Sequence, residues 1–294
     1  MGEVVFHDRM WILGGYTPAR INDVWCSPDG RSWQLVTASA SWPPRNLPCA
    51  VVHRDRIWLY GGFSPQNTAY ADVWSSADGL SWDLVLPKAP WGARGAASAV
   101  VHGDRLWIMG GFDLQGFRHF GDLWCSEDGE HWEQVSACAP WGARAMQGSV
   151  AFAGRIWVIG GGEYNTAREL NTVRDHGDVW CSADGERWEC ATPSAEWEPR
   201  RFHPCASWRE RLWILGGYHL GNRNDVWCSE DGVHWSSGSS SAQRSGDPPP
   251  SSPPAPGRAP WPPRHEPGVL VFGDTLYLFG GYGERLYNDV WVAS

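Results

Sequence analysis

A pair of glycines recurs along the whole chain, and this repetition constrains the fold more than any other feature of the sequence. The pairs begin at Gly14, Gly61, Gly110, Gly161, Gly216 and Gly280, so the period drifts between 47 and 64 residues. A period of this length indicates a repeat architecture made of supersecondary units. Each pair follows a short apolar segment such as Leu106-Trp107-Ile108-Met109, which predicts a strand. The sequence therefore predicts six units with one shared strand pattern.

Tryptophan follows the same period. The chain has 22 tryptophans, and all except Trp208 fall at one of four positions of the unit. These positions are the strand before the glycine pair, the triplet Asp-Val-Trp or Asp-Leu-Trp, the end of Ser-x-Asp-Gly-x-x-Trp, and the start of Trp-x-x-Arg. Because the positions repeat, we expect these large side chains to pack the units against one another. The tryptophans thus argue for an architecture and not for a ligand-stacking surface.

Each unit contains four predicted strands, which we call A to D in chain order. A tight turn joins strand A to strand B, which ends at the glycine pair, and strand C carries the Asp-Val-Trp triplet. An Asp-Gly turn such as Asp29-Gly30 joins C to D, and Asp-Gly between apolar segments is a strong hairpin signal. No stretch has helical periodicity. The sequence therefore predicts an all-β fold.

The order of these motifs resembles the kelch repeat, in which a glycine pair after an apolar strand is followed by a tryptophan and then an arginine. The six copies imply a single six-bladed β-propeller of the galactose oxidase and kelch type over residues 1–294, with four-stranded antiparallel blades. The sixth copy ends after strand C, so we expect the last blade to lack its outer strand and to expose an edge. Such propellers include both binding modules and enzymes, so the resemblance leaves the function open.

Residues 236–260 are rich in serine, proline and glycine. This composition cannot bury a core, so we predict a disordered insertion between blades five and six. A passive surface insertion is the simplest interpretation, and a proline-rich ligand for an adaptor domain is the alternative.

Composition and charge narrow the classes of function. The formal net charge is −9, which argues against general binding of nucleic acid. No apolar run reaches the roughly 20 residues of a membrane helix, and no secretory signal is visible at the N-terminus. Cysteines such as Cys26 and Cys125 recur at equivalent positions, which lie far apart in a ring and should not pair. We therefore expect a cytoplasmic monomer that binds neither nucleic acid nor membranes.

Strand direction places the D–A and B–C loops on one face of the propeller, which we call the loop face. One arginine of each Trp-x-x-Arg motif lies there, near the aspartate that precedes the strand C tryptophan. Because both residues recur, we predict that they form structural pairs and do not bind a ligand. These arginines are Arg45, Arg94, Arg144, Arg200 and Arg264.

Loop residues outside the repeated motifs are the better candidates for binding. We predict that the loop face binds a protein, an acidic peptide or another anionic ligand through arginine and aromatic residues, because the arginine fork donates two parallel hydrogen bonds to a carboxylate. Tyr16, Phe117 and Tyr282 are among the aromatic candidates at its rim. The candidate ligand-binding residues are Arg118, His119, Tyr164, Arg168, Arg174, Arg201, His219 and Arg223.

An enzyme at the same face is the alternative. The kelch resemblance implies a sialic-acid mutarotase-like isomerase, for which Glu163, His176 and His203 would be the acid and base groups. It also implies a metal-dependent protein of the plant nitrile-specifier kind, but the Glu-x-x-x-Asp-x-x-x-His pattern of that branch is absent. The residues contain no recognisable catalytic motif, and we predict neither a metal nor a cofactor.

Overall fold

The structure, a computed structural model, describes residues 1–164, 173–238, 243–244 and 258–293, and within them all regular structure is β-strand. The strands of the first three blades are β1 (Gly2–Phe6), β2 (Arg9–Thr17), β3 (Ala19–Ser27), β4 (Gln34–Thr37), β5 (Cys49–His53), β6 (Arg56–Tyr60), β7 (Val73–Ser76), β8 (Asp83–Leu86), β9 (Ser98–His102), β10 (Arg105–Met109), β11 (Phe112–Asp113), β12 (Arg118–His119), β13 (Leu123–Ser126) and β14 (Trp132–Ser136). Those of the last three are β15 (Gly148–Phe152), β16 (Arg155–Ile159), β17 (Gly162–Tyr164), β18 (Val173–Asp175), β19 (Val179–Ser182), β20 (Glu189–Thr192), β21 (Cys205–Trp208), β22 (Arg211–Tyr218), β23 (Asn222–Ser229), β24 (Ser236–Ser237), β25 (Gln243–Arg244), β26 (Gly268–Phe272), β27 (Thr275–Phe279) and β28 (Val290–Ala293).

These strands form six antiparallel sheets of four strands arranged in a closed ring. The A strands β1, β5, β9, β15, β21 and β26 contact one another in that order, and β26 contacts β1. The short hairpins β11–β12 and β17–β18 extend the B–C loops of blades three and four. The predicted six-bladed kelch-type propeller is confirmed. Within the described ranges, no helix could span a membrane.

The turns follow the chemistry of their residues. In the A–B turn of the second blade, Arg54 and Asp55 both have positive φ, as a two-residue hairpin with the right-handed strand twist requires. In the C–D turn of the same blade, Oγ of Ser76 accepts a hydrogen bond from the N–H of Gly79 at 2.8 Å. Gly79 has a φ of +74°, and a Cβ there would lie 2.2 Å from the ring of Trp11 in blade one. The glycine is therefore required both by the turn and by the contact between blades.

The tryptophans hold the blades together, as predicted. The strand B indole of Trp58 donates to the carbonyl of His53 at the end of strand A, and the strand C indole of Trp74 donates to Asp72. The tryptophans of the Trp-x-x-Arg motifs are buried in apolar clusters between neighbouring blades, where Trp42, for example, meets Trp82 edge to face. The ring is thus a series of aromatic interfaces.

Two local predictions need correction. The sixth repeat does supply three strands, but Arg244 of β25 lies opposite Trp291 of β28, so a two-residue strand from the preceding segment covers the edge expected to be exposed. In the fourth blade the glycine pair is Gly160–Gly161 and does not begin at Gly161. The carbonyl of Gly160 accepts the hydrogen bond from Arg144, just as the carbonyl of the first glycine, Gly110, accepts one from Arg94 in the third blade.

The predicted insertion starts later than residue 236, because Ser236–Ser237 form β24 of blade five. Its predicted disorder at residues 239–242 and 245–257 falls outside the described residues. All eight cysteines are free thiols.

Candidate functional site

The loop face contains a set of buried arginine–aspartate ion pairs. Each repeated arginine forms a two-pronged ion pair with the aspartate before the strand C tryptophan of the same blade. The bonds are 2.5–3.0 Å long, and the arginine side chains are at most 2% exposed. The guanidinium also donates to the carbonyl of the first glycine of the pair, as Arg94 does to Gly110 at 3.0 Å. The predicted structural role of these arginines fits this arrangement, because their donors are used inside the fold.

A cavity of ≈ 170 Å³ opens at the centre of the loop face. Its wall includes Glu3, Gln147, His203 and Glu266. His203 is 3% exposed, and burial lowers its pKa to about 3, so the ring is neutral at physiological pH. Burial also raises the pKa of the Glu3 and Glu266 carboxyls. The centre of the face is therefore a small pocket whose wall holds a neutral histidine and two carboxyls, close to the N-terminal ammonium.

The B–C hairpin of blade four brings together two of the three predicted acid–base residues. Nε2 of His176 lies 2.9 Å from Oε1 of Glu163, and the two side chains are 11% and 32% exposed. Burial, and then the nearby Arg144 guanidinium, lower the pKa of His176. His203 is not part of this pair, because it lies in the wall of the central cavity. Two of the three predicted residues thus form a carboxylate–histidine pair, and among the described residues no hydrogen bond joins His203 to it.

The other side of the same hairpin forms hydrogen bonds with residues of blade five. Asp175, only 5% exposed, accepts hydrogen bonds from Nη1 of Arg201 at 2.5 Å and pairs with Nδ1 of His219 at 2.9 Å. The Arg201 guanidinium also lies over the ring of Tyr218, 4.8 Å from its centroid. Two predicted ligand-binding residues, Arg201 and His219, are thus joined by an aspartate. Their contacts with Asp175 position the loops.

Arg223 and His176 occupy a repeated position that the spacing of the motifs did not reveal. Each lies two residues before the structural aspartate, and its carbonyl accepts the backbone N–H of the next repeated arginine. At this position in blades two, three and six, Tyr70, Phe120 and Tyr287 lie against a guanidinium. Arg223 itself forms an ion pair with Glu198.

Arg118 and Arg174 are the predicted residues that remain exposed. They occupy equivalent places on the B–C hairpins of blades three and four, where Arg118 lies opposite Asp113 and Arg174 opposite Glu163. His119, beside Arg118, packs against Phe112 with ring centroids 4.4 Å apart, and burial lowers its pKa. Tyr164 lies on β17 opposite Val173, and Arg168 falls outside the described residues.

The exposed apolar side chains on the loop face include three aromatic residues that the sequence suggested and two leucines that it did not. We call them the apolar loop tips, since each lies in a B–C loop. They are Tyr16, Phe117, Leu220, Tyr282 and Leu286, with exposures between 37% and 90%. The tyrosine and leucine types were visible in the sequence, but only the fold shows which of them are not needed in the blade interfaces.

His265 was also missed as part of an aromatic group. It contacts Phe202, Tyr218 and Tyr282, with ring centroids 5.3–5.5 Å apart, and Nδ1 lies 2.5 Å from Oδ1 of Asn222. Burial, and then Arg201, lower its pKa to about 4. Across residues 1–164, 173–238, 243–244 and 258–293, no three His, Cys, Asp or Glu side chains are grouped to hold a metal ion.

Comparison with known proteins agrees with this geometry. The model of the KLHDC2/KLHL20/DRC7 Kelch-repeats domain matches residues 3–217. A solved structure described as "Structure of YjhT" superimposes with a TM-score of 0.76 at 14% identity, covering 100% of this chain and 94% of the other. At that identity the likeness concerns the fold alone. No curated protein sequence matches the chain.

Proposed function

Because the chain belongs to the KLHDC2/KLHL20/DRC7 Kelch-repeats domain family, we propose that its loop face is a recognition surface for a segment of a protein partner. The segment would carry acidic side chains beside apolar ones. The observation that carries this proposal is that the apolar loop tips and the exposed Arg118 and Arg174 all lie in B–C loops of the same face.

Monomeric soluble proteins rarely expose large apolar patches, and the patches that they do expose mark sites of interaction with other molecules. Tyrosine, phenylalanine and arginine are the residue types that contribute most to protein interfaces. The loops that carry them lie on a rigid ring, which lowers the entropy lost on binding. These properties favour a binding surface over a catalytic centre.

The two exposed arginines define the chemistry of the partner. Arg118 and Arg174 project from neighbouring hairpins, whereas Arg201 and Arg223 are already paired with Asp175 and Glu198. A carboxylate in the partner would pair with a guanidinium through two hydrogen bonds. The apolar tips would then bury hydrophobic side chains next to the acidic ones.

A peptide selection tests this proposal. Peptides selected from a random display library on the immobilised protein should be enriched in acidic and apolar residues, and their Kd can be measured by fluorescence anisotropy. The double variant Arg118→Ala, Arg174→Ala should weaken binding by tenfold or more, because each charge-assisted bond contributes about 1.5–3 kcal/mol. The matched control is Arg54→Ala, Arg105→Ala on the opposite face, where both arginines are exposed.

The control variant should bind like the wild type. Equal affinities for all three proteins, or peptides without acidic residues, would contradict the proposal.

A further inference from the structure

Five of the six interfaces between blades contain the same short stretch of chain, which we call the bridging segment. The bridging segments begin at Trp42, Trp91, Trp141, Trp197 and Trp261. The tryptophan packs against the following blade: the ring of Trp141 lies 6.1 Å from that of Trp180 and 4.4 Å from that of Trp188. Each of these five interfaces thus has its own buried indole.

The arginine of a bridging segment connects the two blades. The backbone N–H of Arg94 donates to the carbonyl of Tyr70 at 3.0 Å, and its carbonyl accepts from the N–H of Gly62 at 2.9 Å, both in blade two. The guanidinium binds Asp122 and the carbonyl of Gly110 in blade three. The groups that bind the arginine of a bridging segment are therefore one backbone N–H, two backbone carbonyls and one carboxylate.

The sixth interface, between blades six and one, has the same groups at matching positions, where they are partly exposed, and we call it the seam. Asp23 stands at the position of Asp122, Gly281 at that of Gly62, and Tyr287 at that of Tyr70. Within the described residues, the Asp23 side chain bonds only the Trp25 indole, at 2.8 Å. In the same part of the chain, neither the N–H of Gly281 nor the carbonyl of Tyr287 has a hydrogen-bond partner.

A second chain of bonds also stops at the seam. The residues two positions after each repeated arginine have positive φ and are linked around the cavity mouth, N–H to carbonyl. The links, of 2.9–3.1 Å, run from Ala96 to Leu47, Met146 to Ala96, Phe202 to Met146 and Glu266 to Phe202. The N–H of Leu47 and the carbonyl of Glu266 have no such partner among the described residues, and they lie on the two sides of the seam.

We propose that the seam is a docking site for an extended segment of a partner protein that carries the sequence Trp-x-x-Arg. The arginine would pair with Asp23, the tryptophan would pack beside Trp25 and Trp33, and the backbone would bond Gly281 and Tyr287. The arginine and backbone contacts each have five counterparts within the molecule, so the required geometry is already present. This inference is independent of the recognition surface proposed for the loop face.

Among the described residues, the chain's own bridging segments are all in use, so the proposal commits to a segment of another protein. Their tryptophans and arginines are buried in their own interfaces. At the seam, a Cβ built on Gly280 would lie 3.3 Å from the Met1 side chain. At the other glycine pairs, a Cβ on the first glycine would instead meet the carbonyl of a repeated arginine. Methionine is unbranched and flexible, so it can turn aside when a segment enters.

A peptide copied from the chain's own second bridging segment, residues 86–96, tests the proposal. With a fluorescein label, it should bind the full-length protein saturably at one site, measured by anisotropy. Peptides carrying Arg94→Ala or Trp91→Ala should bind at least tenfold more weakly. The protein variant Asp23→Asn should bind the unchanged peptide at least tenfold more weakly, whereas Asp55→Asn, an exposed carboxylate in an A–B turn, should bind it like the wild type.

Three outcomes would overturn the proposal. The peptide could fail to saturate below 1 mM, or Asp23→Asn could bind it as tightly as the wild type does. Light scattering could also show that the protein forms dimers that Asp23→Asn dissociates, in which case the seam would receive a second copy and not a partner. A rise in the thermal midpoint of the wild type with peptide, but not of Asp23→Asn, would support the proposal independently of the label.

Discussion

Arginine has two roles in this protein, and its position in the repeat decides which. Arg94 is 1% exposed and is held by Asp122, two backbone carbonyls and the ring of Phe120. Arg118, only two residues before that ring, is exposed. A buried guanidinium with four partners cannot reach a ligand, whereas an exposed one on a hairpin can. The arginines of the Trp-x-x-Arg motifs therefore stabilise the fold, and the exposed Arg118 and Arg174 are the ones that we propose for recognition.

The variants Asp122→Asn and Asp23→Asn test whether it is the ion pair with arginine that makes this aspartate important for stability. Asp122→Asn should lower the free energy of unfolding by about 3 kcal/mol, because it leaves the Arg94 charge buried without a counterion. Asp23→Asn at the matched position should lower it by less than about 1 kcal/mol, because within the described chain no arginine pairs with Asp23. Urea denaturation followed by tryptophan fluorescence measures both. Equal losses would contradict the structural role of the pairs.

His203 should make the stability depend on pH. Its pKa is lowered to about 3 by burial in the folded protein, against about 6.5 when unfolded. Between these values the unfolded chain takes up a proton that the folded one does not, so stability falls as the pH is lowered from 6.5. His203→Gln should show a smaller drop in thermal midpoint between pH 7 and pH 5. Glutamine fits this position, since Gln147 fills it in blade four.

A profile for His203→Gln that runs parallel to that of the wild type would show that His203 is not the group responsible.

At the scale of the blade, the C–D turns connect neighbours through glycine. A Cβ on Gly129 would lie 2.0 Å from the ring of Trp58 in the preceding blade. The same contact recurs at Gly79, Gly185 and Gly232, each against a strand B tryptophan. The Asp-Gly pair is thus a turn signal and also a packing requirement, and only the first was readable from the sequence.

Two alanine substitutions distinguish these requirements. Gly129→Ala and Gly154→Ala both place a Cβ at a φ of +75° or +71°, but Gly154 has no atom within 4 Å of that Cβ. Gly154→Ala should lower the free energy of unfolding by about 1 kcal/mol, and Gly129→Ala by a further 1–3 kcal/mol from overpacking. The difference is measurable by chemical denaturation. Similar losses for the two variants would mean that the contact with Trp58 is unimportant.

At the scale of the whole molecule, the sequence predicted the ring but only part of the site. Six repeats, all-β structure and the paired arginines follow from spacing, because these features recur within each unit. The contact of Asp175 with Arg201 and His219 joins different blades, and nothing in the spacing of one repeat reports it. The strand Gln243–Arg244 escaped prediction for the same reason, since its partner β28 belongs to the next repeat.

The central claim is that the loop face carries recognition while the rest of the ring holds it rigid. Hydrogen–deuterium exchange with and without a selected acidic peptide tests it most directly. The account predicts that the peptide slows exchange in the B–C hairpin residues 112–119 and 173–176 and leaves the C–D turns, such as residues 77–81, unchanged. Slower exchange confined to the C–D turns, with no change in the hairpins, would contradict it.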